Sequence, residues 1–311
     1  VTLQELIERL NAYWSHQGCA ILQAYDTEVG AGTMHPMTAL KSLGPDSWNV
    51  AFAQPCRRPA DGRYCRNPMR NQRYYQYQVI LKPSPENVVD LYMGSLEALG
   101  FDTKANDIRL VEDDWESPSL GASGVGWEVW LNGTEITQFT FFQQMGGIEC
   151  DPVCAEITYG PERLCLLLDH KASFWTDLDW NEQISYKAAE FDLEMQNNVF
   201  NFEVASTEML WKLFHMYEEE SKRVIEMPMA WDDEAGILTS RTAEEGQEAY
   251  FLVYPAFDLA LKMSHAFNLL DARGAISSSE RGALINRIRA RIRAACLKHL
   301  QMEKRKQPAS A

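Results

Sequence analysis

The clearest alternation of apolar and polar positions lies between residues 127 and 142. Trp-Glu-Val-Trp-Leu runs into Asn132 and Gly133, then into Thr-Glu-Ile-Thr-Gln-Phe-Thr-Phe-Phe. Asn-Gly tolerates the positive φ of a type I′ turn, so the stretch predicts a two-residue β-hairpin. Counting outward from the turn sets Leu131 opposite Thr134, Val129 opposite Ile136 and Trp127 opposite Gln138. One face then carries Trp127, Val129, Ile136 and Gln138; the other carries Glu128, Trp130, Glu135 and Thr137. Carboxylates and an amide among tryptophans suit a ligand-lined sheet surface better than a plain core.

Upstream, residues 50–54 read as a short strand ending at Pro55, and residues 74–81 as a second strand closed by Lys-Pro-Ser-Pro. The loop between them carries Arg57, Arg58, Arg63, Arg66, Arg70 and Arg73, too many cations for a passive turn. The first ten residues form an amphipathic helix, and residues 84–99 another with Gly100 as its C-cap. From about Thr207 the spacing of Leu210, Leu213, Phe214 and Tyr217 is helical. Further helices are expected over 253–270 and 278–300, the latter headed by Ser-Ser-Ser-Glu, with a frayed tail after about Glu303. The pattern predicts an α+β fold. An antiparallel sheet flanked by helices occupies residues 1–180, and an α-helical region occupies 181–311.

A hydrophobic content of 46% in 311 residues supports a sizeable core. No apolar run approaches the roughly 20 residues needed to cross a bilayer. Seven scattered cysteines point to a reducing compartment and a cytoplasmic location. The formal net charge of -15 argues against a general nucleic-acid coat. The charge is uneven: acids crowd residues 186–250, while Arg281, Arg287, Arg289, Arg291 and Arg293 crowd the C-terminal helix. Such a basic run is either a solvated helix face or a local contact with RNA or an acidic partner.

Glu-Ile-Thr-Tyr-Gly-Pro-Glu-Arg-Leu at 156–164 reads as a strand entering a helix, with Pro161 at the first helical position. Arg163 projects from that first turn. An arginine here and another on the Arg-rich hairpin make a sensible triphosphate clamp, because guanidinium groups stay charged and contact phosphate bidentately. Attack of a carboxylate on an α-phosphate needs that charge neutralised, and needs no general base.

These segments resemble motifs 2 and 3 of the class II aminoacyl-tRNA synthetases: Gln-Pro-Cys-Arg-Arg-Pro at 54–59, residues 73–77, and Gly-Pro-Glu-Arg at 160–163. Val-Gly-Ala-Gly-Thr-Met from Val29, Val-Glu-Asp-Asp-Trp-Glu from Val111, Thr-Gln-Phe-Thr-Phe-Phe-Gln-Gln from Thr137 and Phe-Asn-Leu-Leu-Asp-Ala-Arg from Phe267 narrow the resemblance to one family. It is the bacterial-type heterotetrameric glycyl-tRNA synthetase alpha subunit. The resemblance implies ATP-dependent formation of glycyl-adenylate and transfer to tRNA(Gly), with a synthetase-like catalytic domain over residues 1–180.

It also implies roles. Arg57 would hold the α-phosphate and amino-acid carboxylate, with Arg58 as the substitute. Arg73 would contact the triphosphate, and Tyr77 or Tyr75 would stack on adenine against Arg163. Glu156 would accept the substrate ammonium; Thr33, Trp115, Gln138 and Thr158 would line the amino-acid pocket. Bulky Trp115 and Trp127 would exclude larger side chains. Glu128 and Glu135 are the candidates for Mg²⁺. The implied partners are a beta subunit and tRNA(Gly), with this chain as a homodimer inside an α2β2 assembly and no membrane contact. Where the family carries Gly-Glu-Asn-Pro after Arg-Tyr, this chain has Cys65, Arg66, Asn67 and Pro68. The same fold would also serve a relative that makes aminoacyl-adenylate for another acceptor, or a non-catalytic binding module.

Overall fold

The computed structural model describes residues 1–306. Helix α1 (Leu3–His16) starts on a capping box between Thr2 and Glu5. A short strand β1 (Ala20–Ile21) and helix α2 (Pro36–Ala39) precede the long antiparallel pair β2 (Trp48–Arg57) and β3 (Arg73–Lys82). Helix α3 (Val88–Leu99) ends on Gly100 at φ +108°, the left-handed cap that its sequence predicts. Strands β4 (Ile108–Ser117), β5 (Ala122–Leu131), β6 (Thr134–Met145), β7 (Ile148–Glu149) and β8 (Ala155–Tyr159) complete the large sheet. Its order is β1-β2-β3-β8-β6-β5-β4, with β7 on β6, and every pairing except the parallel β1–β2 is antiparallel.

Helices α4 (Pro161–Leu168), α5 (Phe174–Asp177) and α6 (Tyr186–Val199) follow, then α7 (Thr207–Glu226). Strands β9 (Met229–Asp232), β10 (Ile237–Thr242) and β11 (Ala249–Tyr250) form a separate three-stranded sheet before α8 (Val253–Ala272) and α9 (Ser278–Lys306). The second half is therefore mostly helical, as its periodicity suggested, with this small sheet set between α7 and α8. Helix α9 runs past residue 300 to Lys306, and the expected frayed tail lies mostly outside the described residues. Among the described residues no helix is long and apolar enough to cross a membrane.

The two faces of the sheet have different fates. Tyr77, Val79, Leu81, Phe139, Ile157 and Tyr159 bury one face against α1, α3 and α4. On the other face Val50, Phe52, Ile80 and Phe142 join a core with α7, α8 and α9. The middle of that second face is polar, bearing Gln76, Gln78, Gln138, Glu156 and Thr158 at neighbouring register positions. Pro55 sits within β2, where the short β1 has already ended, so its missing N–H costs no ladder bond on that side.

The β5–β6 hairpin turns at Asn132 (φ +50°) and Gly133 (φ +83°), as expected for Asn-Gly. Its register departs from regular alternation. Leu131 pairs with Thr134 and Trp130 with Glu135, but Val129 pairs with Thr137, Glu128 with Gln138 and Trp127 with Phe139. Ile136 is the extra residue of a β-bulge, and beyond it every β6 side chain changes face relative to the simple count. Glu128, Glu135 and Gln138 therefore share the polar face. Trp127 packs on the opposite one against Phe139 and Phe141, with ring centroids at 5.6 and 5.8 Å.

Candidate active site

Strand β8 supplies the centre of the polar face. Glu156 is 1% exposed, and two donors converge on its Oε1: Thr33 Oγ1 at 2.6 Å and the Gln78 amide, which makes a shorter contact. Gln78 is held in turn by Thr158 Oγ1 at 2.8 Å. No hydrogen bond or ion pair reaches Glu156 Oε2 among the described residues. Burial pushes the Glu156 carboxyl up to about 7, and the bonds from Thr33 and Gln78 pull it back only in part. Gly32 lets the 30–34 segment lie close over this network. A Cβ there would stand 2.6 Å from Gln78 Oε1, while its backbone N–H donates to Gln76 Oε1 at 2.7 Å.

A cavity of about 480 Å³ opens over Thr33, Gln76, Trp115, Gln138, Glu156 and Thr158. A second, of about 220 Å³, is lined by Tyr74, Gly160, Glu162 and Arg163. The two share Arg58, Asp61, Gln76, Glu135, Gln138 and Thr158, so they are adjoining chambers of one cleft. All five candidates for the amino-acid pocket thus surround one chamber. Arg163 reaches the other from the first turn of α4, held by the Glu135 carbonyl at 3.1 Å and its Oε2 at 3.4 Å.

The candidate nucleotide ligands on β2 and β3 divide differently. Side chains alternate along a strand, so Tyr74, Gln76 and Gln78 face the cleft while Arg73, Tyr75 and Tyr77 face away. Arg73 pairs with Glu190 of α6 and lies 5.6 Å from the Tyr75 ring. Tyr75 packs edge-on to Trp180. Tyr77 is fully buried, its hydroxyl donating to Asn11 Oδ1 at 2.9 Å. None of the three lines either chamber. Tyr74 does, with the Arg58 guanidinium 5.3 Å from its ring.

Arg57 and Arg58 separate in the same way. Arg57 lines neither chamber; its charge acts on the half-buried His265 of α8, whose pKa is pushed down to about 4 first by burial and then by that guanidinium, against Glu28. Arg58 lines both chambers and is steadied by the Gly30 carbonyl at 2.9 Å from Nε.

Glu162 is the other buried acid that lines the cleft, pushed up to about 7 by burial. It accepts from the Tyr75 backbone N–H at 2.8 Å and the Tyr186 hydroxyl at 3.3 Å, tying β3 and α6 to the start of α4. Of the two metal candidates, Glu135 lines both chambers, whereas Glu128 lines neither and accepts the Trp130 indole N–H at 3.0 Å. Among the described residues no group of three or more His, Cys, Asp or Glu could cage a metal. Glu135, with Asp61 also lining both chambers, fits an ion carried chiefly by phosphate oxygens, the usual habit of Mg²⁺.

Sequence reasoning missed Tyr74, Gln76 and Gln78. Period-two counting along 73–82 was the signal that would have found them. Sequence reasoning named Asn268 and Asp271 only inside the motif from Phe267, and Arg281 only in the basic run of the C-terminal helix, without placing them at the larger chamber that they reach from α8 and α9.

Residues 3–304 match the family model described as glycyl-tRNA synthetase alpha subunit. Two solved structures of pyrrolysyl-tRNA synthetase from Desulfitobacterium hafniense are similar to part of the chain. One is 13% identical over 55% of this chain and 70% of its own, with a TM-score of 0.38. The other is 14% identical over 59% and 76%, with a TM-score of 0.39.

Proposed function

The chain belongs to the glycyl-tRNA synthetase alpha subunit family and is an aminoacyl-tRNA synthetase, and from that premise we propose that its cleft activates glycine with ATP and passes the glycyl group to tRNA(Gly). The observation that carries this reading is Glu156: a buried carboxylate with one oxygen fully used and the other facing an open chamber. An uncompensated buried acid is costly, and an α-ammonium group is the ligand that would relieve it.

With the ammonium on Glu156 Oε2, the glycine carboxylate points toward Arg58, where the two chambers meet. The adenine of ATP takes the smaller chamber, between Tyr74 and Arg163, and its phosphates reach the space that the two chambers share beside Arg58 and Glu135. A carboxylate oxygen attacks the α-phosphorus, the bond to the bridging oxygen breaks, and pyrophosphate leaves. Arg58 offsets charge on the α-phosphate as it develops, and no base is needed because the nucleophile is already ionised. A terminal ribose hydroxyl of the tRNA then attacks the glycyl carbonyl carbon; AMP leaves and its phosphate takes the proton. Glu135 is the residue that would hold Mg²⁺ together with phosphate oxygens, and the ion would neutralise triphosphate charge. Trp115, packed 5.6 Å from Phe142, narrows the glycine end and excludes side chains by bulk. A beta subunit supplies tRNA binding that an acidic chain lacks, in an α2β2 assembly.

The test is ATP–pyrophosphate exchange in the presence of Mg²⁺. Glycine should support it, and alanine and serine should not. Exchange that ignores glycine, or that alanine supports equally, would overturn the proposal.

A further inference from the structure

The larger chamber has a wall that glycine activation leaves unused. Asn268 and Asp271 of α8 and Arg281 of α9 form it, facing the residues borne by the sheet. At about 480 Å³ the chamber is of the size that holds a drug-sized ligand, roughly 300–1,000 Å³. Glycine brings only a few heavy atoms, and the nucleotide occupies the smaller chamber and the space shared beside Arg58. Space remains beside the activated carbonyl, and this wall bounds it.

The wall's chemistry is that of a nucleotide receptor. The Arg281 guanidinium is paired with Asp271 and lies 5.6 Å from the Phe267 ring. Its side chain is 50% exposed, so the ion pair contributes little and exchanging Asp271 for a phosphate is easy. The ring keeps the guanidinium fork oriented meanwhile. Arg281 lines the larger chamber alone, whereas Arg58 and Arg163 already serve the chamber assigned to ATP. Half-buried Asn268 lines the same space, and nothing hydrogen-bonds to its amide among the described residues. An amide offers both a donor and an acceptor to a base edge. Asp271 would repel a phosphate, but once released from Arg281 it can accept from a ribose hydroxyl.

We propose that Asn268, Asp271 and Arg281 form the receptor for the terminal nucleotide of the acceptor RNA, with Arg281 on its phosphate and Asn268 on its base. The C-terminal helices thereby bring the attacking ribose to the activated glycine. This inference rests on the activation chemistry proposed above.

The experiment uses the full chain with its partner subunit and a tRNA(Gly) transcript with an intact 3′ end. Arg281→Ala should raise the KM for the transcript roughly tenfold, the value of one charge-assisted contact. Arg281→Lys should fall between it and the parent, because charge returns without the fork. Glycine-dependent pyrophosphate exchange without RNA should stay within about twofold for both variants. A transcript lacking its terminal nucleotide should inhibit the parent and Arg281→Ala equally. The inference is overturned if exchange falls in step with glycylation, if the KM for RNA does not move, or if the shortened transcript also loses affinity for the variant. A parent protein with no glycine-dependent exchange would instead remove the activation reading itself.

Discussion

Replacing Glu156 by Gln should move stability and activity in opposite directions. Burial lifts this carboxyl from 4.5 to about 7, so ionising it costs about 3 kcal/mol more in the folded protein than in the unfolded chain. Between those two values the folded state keeps a proton that the unfolded state gives up. Stability therefore falls as pH rises through that window and stays lower above it. Glutamine carries no charge and its amide oxygen can still accept from Thr33 and Gln78, so the variant lacks this slope. At pH 8 Glu156→Gln should be more stable than the parent by up to about 3 kcal/mol, less whatever its new N–H₂ loses by burial. Glu162 shares the same window but is present in both proteins, so it cancels in the difference. Activity should fall, because the substrate ammonium loses a charge-assisted bond of about 1.5–3 kcal/mol, or roughly 10- to 150-fold in kcat/KM for glycine. The parent's own kcat/KM should drop as pH falls below about 7, where Glu156 takes up its proton. Urea denaturation from pH 4 to 9, run beside pyrophosphate exchange, checks both halves. A variant less stable at pH 8, or one with an unchanged KM for glycine, would refute the reasoning.

Arg58→Ala should lower exchange at least about 100-fold, as for loss of an electrostatic stabiliser, whereas Arg57→Ala, outside both chambers, should change it only a few-fold. Tyr74→Ala should raise the KM for ATP by about 5- to 100-fold, the worth of one base–aromatic stack. Tyr77→Phe should leave that KM alone and cost about 1 kcal/mol in denaturation, through the lost bond to Asn11. Cys65 holds φ +56°, a conformation that strains an L-residue by about 1–2 kcal/mol. Relief of that strain, set against glycine's entropy and the lost contact with α6, should make Cys65→Gly more stable by about 0.5–1 kcal/mol, readable as a higher Tm.

The elements that the chain's pattern revealed are those whose local chemistry fixes geometry alone. Asn132 and Gly133 force the hairpin turn, Gly100 ends α3, and Pro161 opens α4 behind the β8 strand. Glu156 stood out because it sits at the strand end of that same motif. What stayed hidden depends on parity or on distance. Glu135 and Gln138 are three apart, so regular alternation sends them to opposite faces, and only the bulge at Ile136 puts both in the cleft. On β3, choosing tyrosines at 75 and 77 over Tyr74 selected the face that packs on the helices. Strand β4 escaped notice because Glu112, Asp113, Asp114 and Glu116 erase any apolar alternation, which an exposed edge strand can bear. The wall built by Asn268, Asp271 and Arg281 follows from how α8 and α9 pack on the sheet, a relation no short window contains.

That packing sets how the gene can be rearranged. Val50, Phe52, Ile80 and Phe142 of the sheet are sealed into the same oily interior as Phe214, Phe257, Phe267 and Ile288 from the three long helices. A copy of the first half alone would carry a bare greasy flank. A lineage that fuses, duplicates or transplants this catalytic sheet must therefore move both halves together, or evolve a substitute for the helices before the fragment can stay in solution.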